Sequence, residues 1–159
     1  MDEVPQWLDD DAQAVWRVYL EATNLLSRAI DRDLRQTCDL TTDDYGVLVA
    51  LSESPDHRLR LGELAAGLRL PKAHLTYRIG RLERAGLVER VECAADGRGV
   101  FAALTPIGFE TLQSTAPDHV ASVRRHLFDH LDRDQMHALA GAMTAVLAGH
   151  DRMDCPIEE

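Results

Sequence analysis

Residues 61–108 read LGELAAGLRLPKAHLTYRIGRLERAGLVERVECAADGRGVFAALTPIG, and the punctuation of this stretch decides the fold. Leu61 to Leu68 is a short run of helix formers closed by Gly67, and Pro71 stands where a second helix opens, a position its fixed φ suits. The second helix turns Leu75, Ile79 and Leu82 toward a core at three- and four-residue steps and breaks at Ala85-Gly86. Leu87 to Cys93 is then rich in Val and Leu, and Ala94 to Gly99 holds an Asp-Gly turn signal. Val100 to Leu104 is short, apolar and able to pair back as a β-hairpin. Helix, turn, helix and hairpin wing follow one another without a linker, which predicts a mainly α fold with a small β wing, a winged helix-turn-helix.

Working outward, Val15, Val18, Tyr19, Ala22, Leu25, Leu26, Ala29, Ile30 and Leu34 recur with helical period from about Asp11 to Gln36. A helix of about 25 residues is about 37 Å long, more than one chain of this size can cover, so part of its stripe is expected to meet another chain. Thr41 or Thr42 caps a second helix with Asp43 and Asp44 in its first turn, and Ser54-Pro55-Asp56 ends it. On the other side, Thr105 caps a helix with Pro106 at its first position, running to about His130 with a kink at Pro117. A last helix runs from Asp132 to about Gly149, with Met136, Leu139, Ala140, Met143, Val146 and Leu147 as its stripe. The expected organisation is one domain over 1–159, with dimerisation helices in 11–40 and 106–150 around a reader in 41–105.

The 159 residues carry a net charge of −10, unevenly spread. Residues 1–57 sum to −9, residues 58–105 to +4, and residues 106–159 to −5. A basic centre between acidic ends suits a chain that touches a polyanion only through its middle. No apolar run reaches the ~18 residues of a membrane span, and the acidic start from Met1 to Asp11 has no secretory pattern, so the expected location is cytoplasmic. Cys38, Cys93 and Cys155 form no CxxC pair, which argues against a disulfide framework and a structural zinc site.

The second helix of the pair carries the chemistry. With Leu75, Ile79 and Leu82 inward, Ala73, Tyr77, Gly80 and Arg84 point out, flanked by His74, Thr76 and Arg81, with Arg78 nearer the core edge and Lys72 in the first turn. Ala73 and Gly80 let a helix axis approach base edges, and His74, Thr76 and Tyr77 offer hydrogen bonds and an apolar surface to a thymine methyl. Lys72, Arg78, Arg81 and Arg84 have the reach and charge to meet phosphates. Gly80 costs about 1 kcal/mol of helix stability against alanine, which a close approach would explain. At the wing tip, Asp96 is placed to fix the turn and orient Arg98 toward a narrow minor groove. The face predicts a reader of double-stranded DNA; a winged helix used only to bind another protein is the alternative, against which the basic centre and Arg98 stand.

These residues resemble the MarR (multiple-antibiotic-resistance regulator) family. Leu82-Glu83-Arg84-Ala85-Gly86-Leu87-Val88-Glu89-Arg90 matches its Leu-Glu-x-x-Gly-Leu-Val-x-Arg element, Asp96-Gly97-Arg98 its Asp-x-Arg wing, and Leu104-Thr105-Pro106-Ile107-Gly108 its Leu-Thr-x-x-Gly element. The resemblance implies a transcriptional regulator, commonly a repressor, that is a homodimer with interlocked N- and C-terminal helices. It further implies two recognition helices in successive major grooves of a pseudo-palindromic operator, with Arg98 in the flanking minor groove. The chain departs from the family in having Pro71 where serine is frequent and Tyr77 where arginine is frequent, which changes the operator expected.

Relatives of this kind often release DNA on binding a small aromatic acid or on oxidation of a cysteine. Trp16, Tyr19 and Tyr45 are the candidates to line an effector crevice, although aromatics on amphipathic helices are more often core. Cys38 lies between the first two helices, away from where the family's peroxide sensors keep a reactive thiol, and Cys93 suits strand packing. His119, His126 and His130 share one helical stripe, but nothing near them completes a four-ligand site, so no metal or other cofactor is expected. Neither a phosphate loop, a nucleophile elbow nor a paired-carboxylate site is present, so no enzyme is expected either.

Overall fold

The structure is a computed structural model that describes residues 7–92 and 100–153, the last three by their backbone alone. Helix α1 spans Asp10–Cys38, opened by Asp9, whose Oδ1 accepts the Ala12 amide at 2.7 Å, and closed by Asp39 in the left-handed region (φ 56°). Helix α2, Thr42–Ser52, starts with a reciprocal capping box between Thr41 and Asp44. A 3₁₀ turn at Pro55–His57 leads to strand β1 (Arg58–Arg60), helix α3 (Leu61–Gly67) and helix α4 (Lys72–Arg84). Strands β2 (Val88–Glu92) and β3 (Val100–Leu104) follow, then α5 (Pro106–His126) and α6 (Arg133–Met153).

The expected hairpin is present as the pairing of β2 with β3, and β1 adds to its other edge in the antiparallel order β1-β3-β2. Phe101 thus faces Arg60 on one side and Val91 on the other. The third strand was not expected: three residues are too few for an alternation to register, and the pairing rather than the pattern makes them a strand. The turn at 93–99, including Cys93, lies outside the described residues, as does Cys155.

The core lies between α2, α3, α4 and the inner face of the sheet. Val47, Leu48, Leu51, Leu64, Leu75, Ile79, Leu82, Val88 and Ala102 are fully buried or nearly so, joined by Leu34 of α1 and Leu112 of α5. Thr105 opens α5 as expected: its hydroxyl accepts the Gly108 amide at 3.0 Å and donates to the Gly86 carbonyl at 2.7 Å. A Cβ at Gly108 would lie 2.1 Å from the Leu87 carbonyl oxygen, so glycine is what lets α5 abut the start of β2. Helix α5 continues through Pro117 but stops at His126, short of the expected His130. Leu127 leaves helical geometry (φ −127°, ψ −66°) and a 3₁₀ turn covers Phe128–His130.

The helices at the two ends differ from the rest. Leu34 alone is fully buried among the residues of α1. Val15, Val18 and Leu25 are each more than 60 % exposed. No side chain of α6 from 133 to 150 is buried, and Leu139, Val146 and Leu147 lie open to solvent. No helix among the described residues is long and apolar enough to cross a membrane.

Candidate nucleic-acid interface

Helix α4 is seated by Leu75, Ile79 and Leu82, which leaves its other side projecting from the domain. Lys72, Ala73, His74, Thr76, Tyr77 and Arg84 are exposed, Tyr77 at 67 %. The Thr76 hydroxyl donates to the Lys72 carbonyl at 2.8 Å, which leaves its oxygen free to accept. Among the described residues a Cβ on Gly80 would meet the Arg90 guanidinium alone, at 4.0 Å, so no packing among them demands glycine there. Arg84 donates to the carbonyl of Gly80 in its own helix at 3.0 Å. These side chains form one face, as the helical arithmetic predicts.

Arg78 and Arg81 are placed differently from the expectation of phosphate reach. Both turn back to the first turn of α2. Arg78 donates to Thr41 Oγ1 at 2.8 Å, to Asp43, and to Asp44 Oδ1 at 3.4 Å. Arg81 bonds Asp44 Oδ2 at 2.7 Å and the Asp39 carbonyl at 2.8 Å. Asp44 is fully buried and also accepts the Thr41 amide at 2.9 Å. The anchoring carboxylates escaped the sequence reading, which placed Asp43 and Asp44 only as helix-start residues; a charge-rich cap gives no sign of a partner more than 30 positions away. Beside this cluster, Asp31 of α1 accepts the Thr42 amide at 3.0 Å and Arg35 at 2.7 Å. Burial opposes ionisation of Asp31, but the hydrogen bonds from Arg35 and Thr42 hold its carboxyl below the usual range. Asp96 and Arg98 of the wing lie outside the described residues. Arg90, at the near end of the hairpin, pairs with Glu83 of α4 at 2.7 Å.

The candidate effector residues do not converge. Trp16 and Tyr19 stack on each other with ring centroids 5.8 Å apart, half exposed on α1. Tyr45 is buried in the core that includes Leu34, which lies about 27 Å further along the helix from Trp16. The Tyr45 ring packs on His119 of α5 at 4.4 Å. A crevice of about 540 Å³ opens instead between α1, the start of α2 and α4, lined by Leu26, Ile30, Arg35, Thr42, Asp43 and Arg78.

The three histidines also separate. His119 lies against Tyr45 with its Nδ1 buried and without a hydrogen-bond partner among the described residues, and burial lowers its pKa. His126 Nε2 meets Asp33 of α1 at 2.9 Å, and His130 is exposed in the 3₁₀ turn. No cluster of metal-ligating residues occurs among the described residues. Cys38 is half-buried, its thiol donating to the Leu34 carbonyl at 3.3 Å.

A helix-turn-helix whose second helix projects a polar face, backed by an antiparallel sheet, defines the class of winged-helix transcription regulators. The pattern of the MarR family matches residues 39–99. Two proteins of Streptomyces coelicolor, both MarR family transcriptional regulators, are each 43 % identical to this chain over 94 % of it. Sco3205, whose crystal structure is in complex with DNA, is covered over 92 % of its length with a TM-score of 0.88. AbsC is covered over 100 % of its length with a TM-score of 0.86. The HTH-type transcriptional regulator PecS of Dickeya dadantii is 26 % identical over 149 residues, 88 % of this chain and 89 % of that protein. The chain belongs to the MarR family: it is a transcription regulator and not an enzyme.

Proposed function

We propose that this protein is a cytoplasmic, homodimeric repressor that reads a pseudo-palindromic double-stranded operator and releases it when a small effector binds. The observation that carries the proposal is the face of α4, on which Lys72, Ala73, His74, Thr76, Tyr77 and Arg84 project together while the opposite side is buried. Such a face fits a major groove, with Lys72 and Arg84 at phosphates and His74, Thr76 and Tyr77 at base edges. Asp96 and Arg98 are assigned to the minor groove on their sequence positions alone. Sco3205, so similar along its length, forms a complex with DNA, which supports the same partner here.

The division into a reader over 41–105 and dimerisation helices over 11–40 and 106–150 is supported by the solvent-exposed apolar positions of α1 and α6, which a second copy would cover. For the effector, the 540 Å³ crevice between α1 and α4 supports a site better than Trp16, Tyr19 and Tyr45, because it borders both a dimerisation helix and the reader. Leu26 and Ile30 give it an apolar floor for a small aromatic effector.

The test is titration of the purified protein onto a pool of short duplexes that includes its own promoter region, at two salt concentrations. Selective binding that weakens steeply with salt is expected, as is loss of about 1–3 kcal/mol of selectivity in Tyr77→Ala, the scale of one base contact. Absence of selective binding at low salt would overturn the proposal and leave a protein-interaction module.

A further inference from the structure

We infer that Arg78 and Arg81 are positioning residues that set the orientation of helix α4 through Asp44, and that they do not contact DNA phosphates in the complex. The inference rests on the proposal that α4 reads DNA. Asp44 is fully buried, and a carboxylate withdrawn from water must be matched by donors to remain ionised. Its matched donors are the amide and hydroxyl of Thr41 and the guanidiniums of Arg78 and Arg81. Swinging Arg81 out to a phosphate would trade a short contact to a buried anion for one in water, where opposite charges attract weakly. It would also take from Asp44 the nearer of its two guanidinium partners. Arg78 is tied at two further points, to Asp43 and to the Thr41 hydroxyl oxygen.

The same cluster fixes a geometry. The first turn of α2 is held to α1 by Asp31 at the Thr42 amide and to α4 by the two arginines, so the reader's angle is referenced to a helix assigned to the dimer. The two recognition helices of a dimer must match the groove spacing of a pseudo-palindrome, so a helix free to pivot would bind random DNA through its remaining charges while losing its preference for the operator.

The experiment is operator and random-duplex binding by Arg78→Gln and Arg81→Gln across a salt series, with urea unfolding as the check on folding. Each variant is expected to keep the wild-type slope of log affinity against log salt to within roughly 0.5, while its operator-to-random affinity ratio falls about tenfold or more. A flattening of the slope by about 2, the loss of one phosphate contact in each of two protomers at about 0.9 each, would overturn the inference. So would an unchanged affinity ratio. If a variant unfolds, the Nε–H signals of Arg78 and Arg81 are followed by NMR in the unsubstituted protein. They are expected to stay in place as operator saturates the protein, and their displacement would overturn the inference. Failure of the wild type to select any duplex would instead remove the DNA-reading proposal itself.

Discussion

The Ser122 hydroxyl of α5 donates to Asp33 Oδ2 of α1 at 2.7 Å, across 89 positions of sequence. The same carboxylate oxygen takes Arg125 at 2.6 Å and His126 at 2.9 Å, so one side chain gathers three donors from a facing helix. The hydrogen bonds from Ser122 and then His126 drive its pKa far below the usual carboxylate range. A carboxyl depressed in the folded state adds stability that is complete above its unfolded pKa, about 3.9, and is lost as pH falls further. Asp33→Ala is expected to cost about 1–3 kcal/mol at neutral pH, since Ser122 is buried and loses its acceptor. Urea unfolding at pH 7 and pH 3 checks both points: the gap between wild type and variant should shrink at the lower pH.

His119 predicts a dependence of the opposite kind of group. Burial holds its imidazole neutral, with Tyr45 against the ring and Asp33 and Asp118 the acids nearest its cleft. A histidine whose folded pKa is depressed takes up protons more readily when unfolded, so stability falls as pH drops below about 6.5. His119→Phe keeps a ring on Tyr45 and removes the proton site. The loss of stability between pH 7.5 and 5.5 should be smaller in the variant; an equal loss would assign it to other groups.

Two glycines should respond to alanine in opposite ways. At Gly80 the added methyl meets nothing among the described residues closer than 4.0 Å, and Gly80→Ala is expected to stabilise the fold by about 1 kcal/mol while weakening operator binding. At Gly108 the methyl would sit 2.1 Å from a backbone oxygen, and Gly108→Ala should cost about 3 kcal/mol or more. Thermal unfolding and duplex titration of both variants separate the two roles.

The outer helices make a prediction about assembly. Leu139 and Val146 are exposed on α6, and a carboxylate at each would have to be buried in any interface that covers them. The double variant L139D/V146D is expected to run as a single chain in light scattering, where the wild type has twice that mass, and to bind its operator far more weakly.

Most of this fold was legible because it is written in local chemistry. Thr41 and Thr105 cap where hydroxyl residues precede helical periodicity, and Leu75, Ile79 and Leu82 announce the buried side of α4 by spacing alone. The opposite face followed from the same arithmetic. What escaped depends on pairs distant in sequence: Arg58 to Arg60 become a strand only by lying beside β3, and Arg81 reaches the Asp39 carbonyl 42 positions away. The length of a guanidinium arm shows that it can travel to a phosphate, but the carboxylate that intercepts it belongs to another helix. Tyr45 and His119 illustrate the same limit, since each has an apolar environment that only the other element supplies.

Helix α6 has none of its side chains from 133 to 150 buried within its own chain, and most of a helix's stability in a protein comes from packing of its amphipathic face. Its formation therefore waits on whatever covers it. With a second copy in that role, the number of molecules in the cell becomes a folding variable: dilution would dissolve the C-terminal helix and the paired readers in one step. Such a regulator would fall silent when scarce even with no effector present, with a threshold set by mass action.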